Sequence, residues 1–143
     1  MHLSLFTDLG FRVLMVLAGS QSGRSSARAL ARELKVSQHH LTKVISALSA
    51  AGYLQTRRGH RGGVSLAMPP QAIHLGEVVR HLEASTPLVD CFRADGGTCT
   101  LCPGCLLKGR LVKARESFLQ DLNTSTLEDI AYTDPSRWIR SAD

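Results

Sequence analysis

All four cysteines of the 143-residue chain fall within residues 90–105, as Cys91, Cys99, Cys102 and Cys105. A core uses cysteine as a small scattered hydrophobe, so this crowding needs another cause. Gly96, Gly97, Pro103 and Gly104 stand between the thiols. They interrupt helix and strand alike and let the backbone close round a compact object. Thiolates on a short flexible loop are ligands for zinc, copper(I) or an iron–sulfur cluster. Disulfides are the main alternative and belong to secreted proteins. Nothing here looks secreted: residues 1–19 are apolar, but Asp8 and Arg12 interrupt them and no small-residue cleavage site follows. The thiols are therefore expected to stay reduced, in a cytoplasmic protein, and to bind a metal or cluster.

Charge is divided unevenly around that loop. Residues 1–70 carry nine Lys/Arg against Asp8 and Glu33, a balance of +7, whereas residues 71–143 carry eight Lys/Arg against ten Asp/Glu, a balance of −2. A basic half nearly free of acids is the footprint of a polyanion-binding face, and nucleic acid is the usual partner. The length suits one domain with an extension, and no apolar run is long enough to span a bilayer. No nucleophile–base pair or phosphate-binding loop is visible, so an enzyme is not expected.

Along the chain, Thr7 is the expected cap of a first helix, with Asp8 in its first turn facing the positive end of the dipole. Leu9, Val13, Val16 and Leu17 follow at helical spacing, and Gly19 is the expected stop. A short helix over residues 27–34 follows Ser26, with Leu30 and Leu34 inward. After a turn at residues 35–37, Ser37 caps a third helix to about residue 51, with Leu41, Ile45 and Leu48 buried. Helix, short turn, helix is the helix-turn-helix pattern, whose second helix enters the major groove. Gln38, His39, Thr42, Lys43 and Ser46 are its outward candidates for base and phosphate contacts.

Residues 53–56 and 64–67 read as strands joined by a tip that holds Arg57, Arg58 and Arg61 among three glycines. A hairpin directly after a recognition helix is a wing, and guanidinium groups on a narrow tip suit phosphates or the minor groove. The fold class is thus mainly α with a small β-hairpin, a winged helix-turn-helix followed by a long helix. Leu75, Val78, Val79 and Leu82 mark a helix packing back on that domain. Leu107, Leu111, Ala114, Phe118 and Leu122 recur as one apolar stripe, expected to pack against a second copy, since two-fold operators require paired subunits. Residues 126–132 suggest a short last helix, and the tail after Asp134 looks loose.

Several blocks, in order, resemble one family. They are Leu5-Phe6-Thr7-Asp8, His40-Leu41-Thr42-Lys43-Val44-Ile45, Leu48-Ser49-Ala50-Ala51-Gly52-Tyr53 and Arg58-Gly59-His60-Arg61-Gly62-Gly63. Ile73-His74-Leu75-Gly76-Glu77-Val78-Val79-Arg80, Cys99-x5-Cys105-Leu106-Leu107-Lys108 and Ser117-Phe118-Leu119 follow. From residue 1 to about 132 the chain resembles the iron–sulfur winged-helix regulators, the family that contains IscR, and within it the nitric-oxide-sensing repressors. The resemblance implies a homodimer that binds double-stranded operator DNA and holds an iron–sulfur cluster, 4Fe–4S rather than 2Fe–2S, through Cys91, Cys99 and Cys105.

It also implies Asp8 as a fourth ligand, since the nitric-oxide branch can use an aspartate near the N-terminus. The other branch uses a histidine just after the third cysteine, and Leu106-Leu107-Lys108-Gly109-Arg110 contains none. Two departures stand out. Cys91 and Cys99 are separated by seven residues, with Gly96-Gly97 as the apparent insertion, and Cys102 is an addition that leaves all-cysteine ligation open.

The implied organisation is a winged helix-turn-helix over residues 1–83, a cysteine loop over 84–106, and a dimerisation helix with its tail over 107–143. The expected function is a repressor that senses nitric oxide and releases operator DNA. A redox or iron–sulfur-status regulator of the same fold is the nearer alternative. A DNA-binding protein with a structural zinc site and an iron–sulfur electron carrier are the more distant ones. A carrier has no use for a recognition helix.

Overall fold

The first helix begins on Ser4 and not on Thr7. The structure is a computed structural model that describes residues 2–57, 63–102 and 104–133. In it α1 spans Leu5–Gly19, and Ser4 Oγ accepts from the Thr7 amide at 3.2 Å. Either hydroxyl can cap, so local chemistry does not choose between them. A residue far along the chain does. Thr7 is fully buried and its hydroxyl donates to Glu83 Oε1 at 2.5 Å. The Ser4 amide and hydroxyl each donate to the same oxygen at 2.7 Å. Leu9, Val13, Leu14 and Leu17 form the buried stripe of α1, while Val16 sits at its half-buried edge.

Helices α2 (Ala27–Glu33) and α3 (Gln38–Ala50) start on Ser26 and Ser37, whose hydroxyls accept from the Ala29 and His40 amides. Each such cap stabilises its helix by about 1 kcal/mol. Both helices also end alike. After α3 the Gly52 amide bonds to the Ser49 carbonyl and the Tyr53 amide to the Leu48 carbonyl, with Gly52 at φ +83°. After α2 the Lys35 amide bonds to the Arg32 carbonyl and the Val36 amide to the Ala31 carbonyl, with Lys35 at φ +54°. This left-handed terminal turn usually belongs to glycine. A lysine there bears the steric cost of its Cβ, and the pattern fixes the tight connection between α2 and α3.

Strands β2 (Leu54–Arg57) and β3 (Gly63–Leu66) form the expected hairpin, with Leu54 opposite Leu66 and Thr56 opposite Val64. A third strand, β1 (Arg24–Ser25), adds to the free edge of β3 in the order β1–β3–β2. The residues 58–62 at the tip lie outside the described residues. Leu30, Leu41, Leu48, Tyr53, Leu54 and Val64 join α2, α3 and the wing to the stripe of α1 in one core.

Helix α4 (Leu75–Leu82) buries Leu75, Val78, Val79 and Leu82 as expected. Helix α5 (Leu106–Leu122) lies against it. Arg80 donates twice to the Glu116 carboxylate, at 2.8 and 3.3 Å, and Asn123 Oδ1 accepts from the Glu77 amide at 3.0 Å. The buried contact of α5 is Leu119. The predicted stripe points elsewhere: Leu107 and Ala114 are exposed, and Leu111, Phe118 and Leu122 half-buried. Past α5 the chain returns to the main core without forming the expected last helix. The Leu127 amide bonds to the Ile73 carbonyl at 2.8 Å, and its side chain is fully buried. A single 3₁₀ turn at Glu128–Ile130 follows, and the Tyr132 amide bonds to the Met15 carbonyl at 3.1 Å. The tail from residue 134 lies outside the described residues. No helix among the described residues is long and apolar enough to cross a membrane.

Candidate nucleic-acid interface and thiol centre

On α3 the buried face of Leu41, Val44, Ile45 and Leu48 forces the polar residues outward by helical geometry, and Gln38, His39, Thr42, Lys43 and Ser46 are all exposed. The Thr42 hydroxyl donates to the Gln38 carbonyl at 2.8 Å. Its proton is therefore engaged, and Thr42 offers an acceptor oxygen and a methyl group to a partner. Arg57 is exposed at the end of β2, while Arg58 and Arg61 lie outside the described residues. The third strand brings Arg24 to the base of the wing, opposite Ser65. Arg28 and Arg32 are exposed on α2. No motif marks these three arginines, because they sit on a two-residue strand and on a helix surface. Their signal was the charge balance of the first half. Arg12 pairs with Asp8 at 2.7 Å, so Glu33 is the one remaining acid to offset the cations of that half.

The cysteine loop is held by short polar contacts. A 3₁₀ turn at Asp90–Phe92 buries Cys91 against the body. Asp90 Oδ2 accepts from the Thr98 amide at 2.6 Å and from its hydroxyl at 3.2 Å. The extra Gly96-Gly97 makes that return possible. Gly97 has φ +63°, and a Cβ there would collide with the Asp90 carbonyl oxygen. Cys99, Cys102 and Cys105 are half-buried, and all four thiols are free. Cys105 is the residue before α5, and its side chain makes no capping hydrogen bond there.

Burial pushes the Cys91 thiol up, and the neighbouring Cys102 and Cys99 push it further, against a smaller opposing effect of Lys108. Thiolates so placed repel one another, and a cation bound among them would remove that repulsion. The donor set of soft sulfurs therefore fits an iron–sulfur or zinc group. Asp8 is not brought to them within one chain. It lies beside a groove of about 480 Å³ lined by Leu5, Phe6, Val36, His40 and Lys43. Among the described residues no three His, Cys, Asp or Glu side chains converge on one point.

Comparison with known proteins agrees with the winged helix. The family model for Rrf2, an iron-dependent transcriptional regulator, matches residues 3–133. The chain is 38% identical to the HTH-type transcriptional regulator NsrR of Geobacillus kaustophilus, over 91% of this chain and 89% of that one. It is 40% identical to the regulator of the same name from Bacillus subtilis, over 91% and 90%. The solved structure of IscR from T. potens superposes with a TM-score of 0.71 at 24% identity, covering 100% of this chain and 93% of that one. The small sheet and the two capped helices before it are thus a known fold, and the chain belongs to the Rrf2 family of transcriptional regulators.

Proposed function

We propose that this Rrf2-family regulator is a homodimeric, cytoplasmic repressor that holds an iron–sulfur cluster and releases operator DNA in response to nitric oxide. The observation that carries the reading is the position of the thiols. They occupy a loop whose far end starts α5, and α5 clasps α4 of the winged helix through Arg80–Glu116 and Asn123. A change in the loop has a short mechanical route to the DNA-binding unit. The three-part division at residues 83 and 106 follows from that route.

Gln38, His39, Thr42 and Lys43 read base edges, and Arg57, Arg58 and Arg61 hold phosphates or the minor groove. Cys91, Cys99 and Cys105 hold the cluster, of the 4Fe–4S type, and Asp8 of the second subunit supplies an oxygen ligand. Such a group, when bound, supplies an iron site with one exchangeable hard ligand, open to a diatomic molecule. The second copy docks on the outward stripe of α5, where Leu107 is 62% exposed, with the still more exposed Leu106 at its edge. Apolar side chains in sequence on one helix face are a normal subunit contact.

The test is anaerobic purification, absorbance spectroscopy and a nitric oxide titration against operator binding. The expected result is a coloured protein whose operator affinity falls as nitric oxide is added. Asp8→Ala is expected to keep a cluster with an altered spectrum. Alanine at Cys91, Cys99 or Cys105 loses the cluster, whereas Cys102→Ala keeps it. A colourless, zinc-containing protein that binds operator regardless of nitric oxide overturns the reading in favour of a structural metal site.

A further inference from the structure

Arg24 has no task in the reading above, yet the sheet gives it a definite place. In an antiparallel ladder, residues directly opposite one another point to the same face. Arg57 is opposite Gly63, and Ser65 is opposite both Gln55 and Arg24. Gly63 and Ser65, two residues apart on β3, alternate onto one face. Arg24, Ser65, Gln55 and Arg57 therefore share the outer face of the wing, since Leu54 and Val64 are buried on the other. Gly63 leaves room on that outer face. A Cβ there would come within 3.2 Å of Arg24 Cγ and 3.5 Å of its Cδ, so the Arg24 stem lies across the glycine. Both arginines are exposed, and the three strands carry no Asp or Glu. Two cations thus flank a bare stretch of strand on a sheet without acids, a surface suited to a polyanion.

We propose that Arg24 is a phosphate contact of the wing and that, with Arg57, it forms a two-cation clamp on the nucleic-acid backbone, carried by the sheet and not by the tip. β1 and β2 lie either side of β3, about 10 Å apart. Stems on that spacing hold two phosphates and not one, and each guanidinium can bind its phosphate through a pair of donors. Phosphate contacts position a protein on a duplex and carry no sequence information, so the clamp acts alike on operator and on random DNA. Neither residue of β1 is buried, so what the strand adds to the wing is this cation. Gly63 is part of the device, because a side chain there would take the space of the Arg24 stem. The proposal rests on the DNA-binding reading of the wing and adds the third strand to it.

The experiment uses the full chain, purified anaerobically, and a fluorescein-labelled duplex of random sequence, with affinity read by anisotropy from about 50 to about 200 mM salt. Wild-type protein that fails to bind overturns the DNA reading and the clamp together. Arg24→Gln is expected to lower the magnitude of the slope of log affinity against log salt by about one, Arg57→Gln likewise, and the double variant by about two. Arg24→Lys keeps the charge and recovers most of the slope. The urea midpoint of Arg24→Gln stays at the wild-type value, which separates loss of a contact from loss of the strand. Gly63→Ala displaces the stem and loses the same increment, but combined with Arg24→Gln it loses no more. Lys113→Gln, which removes an exposed cation from α5, leaves the slope within about 0.3 of wild type. Wild-type binding with an unchanged slope in Arg24→Gln, or an equal loss in Lys113→Gln, overturns the clamp and leaves the DNA reading standing.

Discussion

Glu83 offers the sharpest test of how this molecule is held together. Its residue is 8% exposed, and one carboxylate oxygen accepts from the Ser4 amide, the Ser4 hydroxyl and the Thr7 hydroxyl. Those three bonds fasten the end of α4 to the start of α1. A hydrogen bond to an ionised group contributes about 1.5–3 kcal/mol, against about 0.5–1.5 kcal/mol for a neutral pair. Glu83→Gln preserves shape and an acceptor oxygen but removes the charge, so a loss of about 2–3 kcal/mol is expected at neutral pH. Glu83→Ala strands the donors and is expected to cost about 4 kcal/mol, a large share of a domain's usual stability. Burial by itself would raise the Glu83 carboxyl, but the bonds from Thr7, Ser4 and Thr86 outweigh it and hold the group below its ordinary value. A carboxylate depressed in the folded state contributes fully above its unfolded value of about 4.3, and the contribution fades as pH falls toward the folded value. Urea unfolding followed by circular dichroism should therefore show a wide gap between wild type and Glu83→Gln at pH 7. The gap should narrow at about pH 3.5. Equal stability at pH 7, or a gap that does not change with pH, would refute the argument.

Other substitutions test other parts. Lys35→Gly removes the cost of a Cβ in the left-handed turn and is expected to raise stability by about 0.5–1 kcal/mol, read from the urea midpoint, whereas Lys35→Ala keeps the cost and gains nothing comparable. Alanine at Arg57, Arg58 and Arg61 together should lower the slope of log affinity against log salt by about one for each phosphate no longer neutralised, measured by fluorescence anisotropy. Gln38→Ala or Lys43→Ala should cost about 1–3 kcal/mol on operator and less on random DNA; equal loss on both would leave only a positioning role. Leu107→Glu places a charge on the outward stripe of α5 and should shift the protein from dimer to monomer in sedimentation, with helix content unchanged.

What could be read from the chain was what is decided locally. Ser26 and Ser37 cap the helices that follow them because a side-chain oxygen needs only its own next turn. The wing followed from two short strands either side of a glycine-rich tip, and the buried faces of α3 and α4 from periodicity alone. The failures share one cause, a partner distant in sequence. Ser4 prevails over Thr7 as the cap because Glu83 draws Thr7 inward. β1 is two residues long, and its only reason to be a strand is the edge of β3. Residues 126–132 carry helical spacing, but the Ile73 carbonyl and the core space filled by Leu127 draw them out of a helix. In the thiol loop the sequence placed four sulfurs close together and suggested Gly96-Gly97 as an insertion. It could not tell that Cys91 would be buried while the other three stay half-buried, because the 3₁₀ turn at Asp90–Phe92 and the closure through Asp90 and Thr98 decide that.

The returning segment also sets an order of events during synthesis. Leu127 is the last fully buried side chain among the described residues, and the Tyr132–Met15 bond ties the chain to the main body five residues later. Both come after α5, so the ribosome has released the recognition helix, the wing and every cysteine before the core around α1 and Ile73 can close. A chain ending within α5 carries α3, the strands of the wing and all four cysteines but lacks the Leu127 contact. The core around α1 and Ile73 is therefore finished only by the last of the described residues, after every other element has been made.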